Sequence, residues 1–329
     1  MTTLLLSCLL LYLIGVISAS ERKECPALEL DKFCNAVQGN DFSTVSEFLG
    51  QWSDANIMNA GTCGGISPLS LACALGHVHI VDTLLMFNNV VDVNYNEGGS
   101  ALMMAVTEGQ NDIVKILLQV KGIDVNLVEA STGGSALQAA ALLGHVDIVK
   151  QLLEVEGIEV NSQSSEGYSP LSMAARAGYA DVVELLLNED RVDINLVDNA
   201  GDTVLTTVAS TGQQAITSLI LKSTKGSDVN HKNTAGFTAL MLSSLLGYTS
   251  IVEDLLQQNA DVNMKGKDEW TALLFAIAKG HADIVKLLVT VSDLELDVEC
   301  VQGWTASTLA THLQHTDILD MLESIETAY

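Results

Sequence analysis

Residues 135–153 read Ser135-Ala136-Leu137-Gln138-Ala139-Ala140-Ala141-Leu142-Leu143-Gly144-His145-Val146-Asp147-Ile148-Val149-Lys150-Gln151-Leu152-Leu153, and this stretch decides the fold. Ser135 is an N-cap residue, whose hydroxyl can accept a backbone N–H of the first turn and so open a helix. Gly144, nine residues later, suits the left-handed turn that closes one. Beyond it, Ile148-Val149 and Leu152-Leu153 stand at i, i+3 and i+4 spacings, which gathers them on one face of a second helix. Two short antiparallel helices follow from this pattern, with an apolar face that must pack on a neighbour.

The neighbour is another copy of the same pattern. Caps recur at Ser67, Ser100, Ser135, Ser169, Thr203, Thr238, Thr271 and Thr305, at spacings of 33, 35, 34, 34, 35, 33 and 34. Two residues after the first seven caps stand Leu69, Leu102, Leu137, Leu171, Leu205, Leu240 and Leu273; nine residues after them stand Gly76, Gly109, Gly144, Gly178, Gly212, Gly247 and Gly280. The last copy breaks both rules, with Ser307 and Gln314, as a terminal repeat does when it turns a more polar face outward. Between copies runs Asp-Val-Asn or a close relative, beginning at Asp92, Asp124, Glu159, Asp193, Asp228 and Asp261 and expected to be extended. Glycines two residues before a cap, such as Gly167, Gly201, Gly236 and Gly303, then read as a tight turn. An atypical first copy starts near Asp31, with Phe33 in the Leu slot and Asn40 in place of the glycine, followed by Val45 and Phe48-Leu49.

These residues resemble the ankyrin-repeat family, whose unit is a β-turn and two helices with a Gly-x-Thr-Pro-Leu-His-x-Ala signature. Here the corresponding stretches include Gly65-Ile66-Ser67-Pro68-Leu69-Ser70-Leu71-Ala72 and Gly236-Phe237-Thr238-Ala239-Leu240. They lack the signature His and often its Pro, so the likeness lies in the period and in the Leu, Ala and Gly positions. The resemblance implies an all-α repeat solenoid of ankyrin-type helix-turn-helix units joined by short β-turn or hairpin loops. About nine units occupy residues 31–329, behind a lead-in over 21–30, and no stretch is left for a separate catalytic domain.

Residues 1–20 read as a signal peptide. Leu4 to Ile17 is apolar, shorter than the roughly 20 residues of a spanning helix, and Ser18-Ala19-Ser20 offers small residues for cleavage after Ser20. This reading places the mature chain outside the cell or in the secretory lumen. The alternative is a membrane anchor with cytosolic repeats, because Arg22 and Lys23 follow the apolar run and no basic residue precedes it. Of the six cysteines, Cys8 leaves with the signal; Cys34 and Cys73 fall in helical segments as small buried side chains, and Cys25 with Cys63 is the bridge left open to connecting segments. No Asn-x-Ser/Thr acceptor is present, which argues mildly against a long stay in a eukaryotic secretory lumen.

Composition narrows the function. The 329 residues carry 15 basic against 41 acidic side chains, a formal charge of −26, and such a field repels nucleic acid and anionic membrane surfaces and favours a basic partner. The chain has no HExxH, Gly-x-Ser-x-Gly, GxxxxGK[ST], GxGxxG or CxxC, so no catalytic residue, cofactor or metal is expected. His77, His145 and His281 follow the helix-ending glycine in one register and belong to the repeat. Asp92-x-Asn94-x-Asn96 imitates the start of a calcium loop, but Glu97 takes the glycine slot and Met103 the acidic twelfth position. In Asp293-Leu294-Glu295-Leu296-Asp297-Val298-Glu299, strict alternation in an extended segment would set four carboxylates on one side, either a weak cation site or a charged edge that resists pairing.

The resemblance further implies that partners contact the turn tips and the first-helix face along the concave side. The residues just before the caps run Ile66, Gly99, Gly134, Tyr168, Asp202, Phe237, Trp270 and Trp304, so aromatics crowd the C-terminal half. Apolar pairs precede the helix-ending glycines at Leu142-Leu143 and Leu245-Leu246. The candidate partner-binding residues are therefore Tyr168, Phe237, Trp270, Trp304, Leu245 and Leu246, flanked by Asp202 and the Asp268-Glu269 pair, with the alternative that these rings serve stacking alone. The function expected is a non-enzymatic scaffold for a protein partner with a basic rim; the rivals are a membrane-anchored adaptor and an enzyme with a shallow carboxylate-lined groove.

Overall fold

The computed structural model describes residues 26–51, 63, 65–87, 91–130 and 132–326, so the expected signal peptide and Cys25 lie outside the described residues. Among the described residues there are 18 α-helices and no strand. They divide into two compact blocks, one reaching Ala140 and resuming over Asp147–Ile158, the other formed by Ala141–Val146 and the chain from Glu159 onward.

Each repeat is started by its cap. The hydroxyls of Ser67, Ser100, Ser169, Thr203, Thr238, Thr271 and Thr305 all accept the backbone N–H three residues on. Ser135 does the same for Gln138, whose side chain returns a bond to the Ser135 N–H at 2.7 Å. Behind the caps, Leu69, Leu102, Leu137, Leu171, Leu205, Leu240 and Leu273 are buried, as are the Ile-Val pairs of the second helices. In the Leu-Leu pairs only the first member is fully enclosed, as at Leu117 and Leu152; Leu118 and Leu153 are half-buried. The cost of ordering such short helices is offset by this apolar burial, since helices of eight or nine residues are marginal alone.

The helix that opens the first repeat begins before Asp31. It is Pro26–Gln38, so residues 26–30 of the lead-in are helical. Proline begins a helix readily because its fixed φ suits the first turn, where an N–H would have no partner. Asn40 turns left-handed at φ 56, as its place in the glycine slot requires. The next helix, Phe42–Gln51, is opened by Asp41, which accepts from the Thr44 and Ser43 hydroxyls and the Thr44 N–H. These bonds hold its carboxyl down to about 2.

The cysteine expectation is corrected here. Cys63 is bonded to Cys34, with Cα atoms 5.2 Å apart at a sequence separation of 29, so Cys34 is not a simple core side chain and the partner of Cys63 is not Cys25. The helix Pro26–Gln38 turns Cys34 toward the segment that an isolated antiparallel bridge, Cys63 to Ile66, ties down just before the Ser67 cap. Closing a loop of that length restricts the unfolded chain by about 3 to 4 kcal/mol. Cys73 and Cys300 are free and buried, and burial pushes the Cys73 thiol well up, away from reactivity.

The Asp-Val-Asn segments are turns, not extended strands. Each aspartate carboxylate accepts the N–H of the asparagine two residues on, at 2.9 Å for Asp92, 3.0 Å for Asp124 and 2.9 Å for Asp193. The asparagine amide then spans to the next repeat. In the second block Asn161 donates to the Arg191 carbonyl and accepts from the Asp193 N–H, and Asn195 repeats this with Gly226 and Asp228. In the first block Asn94 clamps Gly122 and Asp124, while Asn96 donates to Val128, so the calcium-loop imitation is used up in repeat contacts. The alternating acidic segment is likewise broken by turns at 292–293 and 296–297 instead of running extended, and its four carboxylates are exposed.

Glycine at the end of a first helix serves two needs at once. Gly144 has φ 74, and a Cβ there would lie 2.5 Å from the Tyr179 ring of the following repeat. Tyr248 covers Gly212, and the His281 ring covers Gly247 in the same way, which assigns that histidine to stacking. Gln314 holds the same left-handed conformation at φ 61 in the terminal repeat. Gly144→Val should therefore destabilise by more than about 2 kcal/mol, from the left-handed penalty plus the clash with Tyr179. Gln314→Gly should be neutral or stabilising by up to about 1 kcal/mol. Denaturant melts of the two variants check this, and equal losses would contradict the register.

Candidate interaction surface

The candidate residues and their acidic flank all fall in the second block, where turn tips and first helices position them. Each tip is a five-residue loop whose ends are joined by a backbone bond, from the Ser164 N–H to the Tyr168 carbonyl, Asp198 to Asp202, Asn233 to Phe237, Gly266 to Trp270 and Cys300 to Trp304. That bond fixes the pre-cap residue at the foot of the tip, beside the first turn of the helix Thr238 or its equivalents begin. Consecutive tips are joined too: Asn199 N–H reaches the Glu166 carbonyl, Thr234 that of Ala200, and Val301 that of Asp268.

The tip at Gly266–Trp270 departs from the others. Glu269 occupies the position of Gly201, Gly236 and Gly303, and both it and Asp268 are left-handed, at φ 64 and 57. Two such residues in succession cost on the order of 1 kcal/mol or more each. The Lys265 ammonium, 3.3 Å from the Glu269 carboxylate, and the bond from Val301 hold the strained tip in place. Asp268 and Glu269 are exposed at its end.

Beside this tip the rings form a run. Phe237 and Trp270 are half-buried, and between them lies Phe275, on the helix Ala272–Lys279, with centroids 5.5 Å from Phe237 and 5.1 Å from Trp270. Phe275 is the residue the pre-cap spacing does not reach; it stands four after the Thr271 cap, one turn into the helix, on the side that faces the tip. The same position in the preceding repeat is Leu242, also half-buried. Trp270 is further held by its indole N–H, which donates to Gln302 at 3.1 Å.

The other candidates divide. Trp304 packs on His312 at 4.6 Å, and Tyr168 lies under the Arg176 guanidinium at 4.8 Å, so each ring has a partner from its own repeat and stands apart from the Phe237–Phe275–Trp270 run. Asp202 is half-buried and accepts from the Asn233 amide at 2.9 Å, which makes it a brace for the next tip more than a free charge. Leu245 is half-buried and Leu246 is 44% exposed at the end of Ala239–Leu246; Leu142 and Leu143 are exposed at 46% and 39%. Among the described residues no group of three or more His, Cys, Asp or Glu is placed to hold a metal ion, and no helix is long and apolar enough to cross a membrane.

The family model described as ankyrin repeats matches the chain over residues 33–129, 121–198, 190–266 and 247–327. Comparison with curated proteins finds no match.

Phe275 holds both neighbouring rings, so Phe275→Ala should loosen Trp270. In a background with Trp52 and Trp304 changed to Phe, acrylamide quenching of Trp270 should rise. Stability should fall by about 1 to 2 kcal/mol, the value of two aromatic contacts on a half-exposed ring. Unchanged quenching would show that Gln302 alone fixes the indole.

Proposed function

The chain belongs to the ankyrin-repeat family, and from that premise we propose that it is a non-enzymatic scaffold that binds a protein partner through the first helices and turn tips of its second block. Repeats of this family generally serve as protein–protein interaction modules. The observation that carries the proposal is the half-exposed Phe237–Phe275–Trp270 run, beside the tip that exposes Asp268 and Glu269. Stacked repeats need buried Leu, Ile and Val; they do not need three contiguous rings reaching solvent, whereas interface hot spots are rich in them. The carboxylates at the strained tip and the net charge of −26 fit a partner whose apolar side chains are rimmed by Lys or Arg.

Trp270→Ala tests this. Capture of the native partner should weaken by on the order of 2 kcal/mol, beyond the roughly 1 kcal/mol of stability lost with the Phe275 contact and the Gln302 bond, and association with the unmodified protein should slow as salt rises. A lowered melting point with unchanged capture would reduce the ring to a stacking role.

The compartment proposed is the secretory lumen or the exterior, with residues 1–20 as a cleaved signal. The Cys34–Cys63 disulfide supports this, because such bonds persist in oxidising surroundings. N-terminal sequencing of the native protein should find Glu21 first. Met1 or Thr2 on a membrane-embedded product would instead favour an anchored adaptor with cytosolic repeats.

A further inference from the structure

The acidic segment that follows the helix Ala282–Leu288 has no role in the reading above. It lines an open cleft of about 810 Å³, a size typical of ligand sites. Val289, Val291, Leu294 and Leu296 contribute apolar lining and are only half-buried, so the cleft offers hydrophobic surface that the repeat stack leaves uncovered. Interleaved with them along the chain are Glu295, Asp297 and Glu299, all exposed. Lys265 is the one cation in the lining, and its ammonium is turned to Glu269, 3.3 Å away, outside the cleft wall. Among the described residues none of the three carboxylates is in an ion pair, and the lining holds three carboxylates against one ammonium. The backbone is held in this form: the Glu295 N–H donates to Asn263 at 2.9 Å, and the Asn263 amide donates to the Asp293 carbonyl at 2.6 Å.

We propose that this cleft is a second docking site, for a peptide segment of a partner protein in which aliphatic and cationic residues alternate. Apolar and carboxylate groups alternate in the lining itself, so a purely basic segment would leave the valines and leucines wet. A purely apolar one would strip water from three carboxylates with nothing to replace it. Lys and Arg suit the arrangement twice over, since their methylene stems lie on apolar surface while the charge stays at the carboxylate edge. The volume admits several residues, so the occupant is a segment and not a single side chain.

The probes are two capped hexapeptides of equal charge, one alternating Lys with Leu and the other Lys with Ser, titrated calorimetrically into the full chain. The Lys-Leu peptide should bind and the Lys-Ser peptide should bind at least about tenfold more weakly, reflecting a few buried leucine methylenes. Glu295→Gln, Asp297→Asn and Glu299→Gln together should weaken the Lys-Leu peptide about tenfold. A control with the same charge change on exposed second-helix positions, Asp181→Asn, Glu184→Gln and Glu253→Gln, should lose no more than about twofold, the share expected from long-range field alone. Melts confirm that both triple variants fold. Equal losses in the two triple variants, or equal binding of the two peptides, would overturn the proposal by reducing it to the general attraction of an acidic protein. Trp270→Ala should leave the titration unchanged, so failure of this site and failure of the aromatic run are read separately.

Discussion

Where a first helix ends, the following repeat lays a side chain flat on a backbone that has no Cβ, and the stack depends on that contact. Tyr179 on Gly144, Tyr248 on Gly212 and His281 on Gly247 are three instances within the second block. The left-handed φ needed to reverse the chain and the bare surface needed by the next repeat fall on the same residue, and only glycine meets both. Gln314 takes the same left-handed conformation at φ 61, so the first need can be met by another residue at its usual cost. Between the other ends of the helices, asparagine amides do the matching work, each bonded to a carbonyl and an N–H of the next loop. Adjacent repeats are thereby fixed at two separated levels, which resists both sliding and twisting.

With stacking met by these recurrent groups, the side chains left free to vary are those at the tips and on the outward turn of the first helices. Here the chain is not uniform. Its rings gather around one tip, where Asp268 and Glu269 accept a conformation their neighbours leave to glycine. A glycine at 269 would remove strain and a carboxylate together. Keeping both concentrates strain, charge and aromatic surface within a few residues of Trp270, the combination on which the proposed interaction rests.

Much of this was legible in the sequence because it is local and repeated. A cap hydroxyl, a leucine two residues on and a glycine nine residues on can be counted along the chain, and Asn40 and Gln314 could be assigned the glycine's role from position alone. What could not be read depends on direction or distance. Phe275 looks like any residue inside a helix until the helix is turned to face the tip. The Cys34–Cys63 bond joins a helix to a loop far along the chain, and spacing does not say which cysteine that helix presents. The Asp-Val-Asn segments look extended by composition, yet the aspartate folds back on the asparagine N–H, a competition between side chain and strand that residue type alone does not decide.

The Cys34–Cys63 bond also changes what the chain is as a covalent object. It makes the polypeptide from 34 to 63 a closed ring with two tails, so hydrolysis of one peptide bond anywhere within that ring opens it without separating the pieces. A protease working on this stretch would yield two chains that migrate as one until a thiol is added. For a protein proposed to work outside the cell, the most N-terminal repeat could then be nicked while its helices stay tethered to the repeats that carry the aromatic run. Any assay that follows the size of the unreduced protein would record no change.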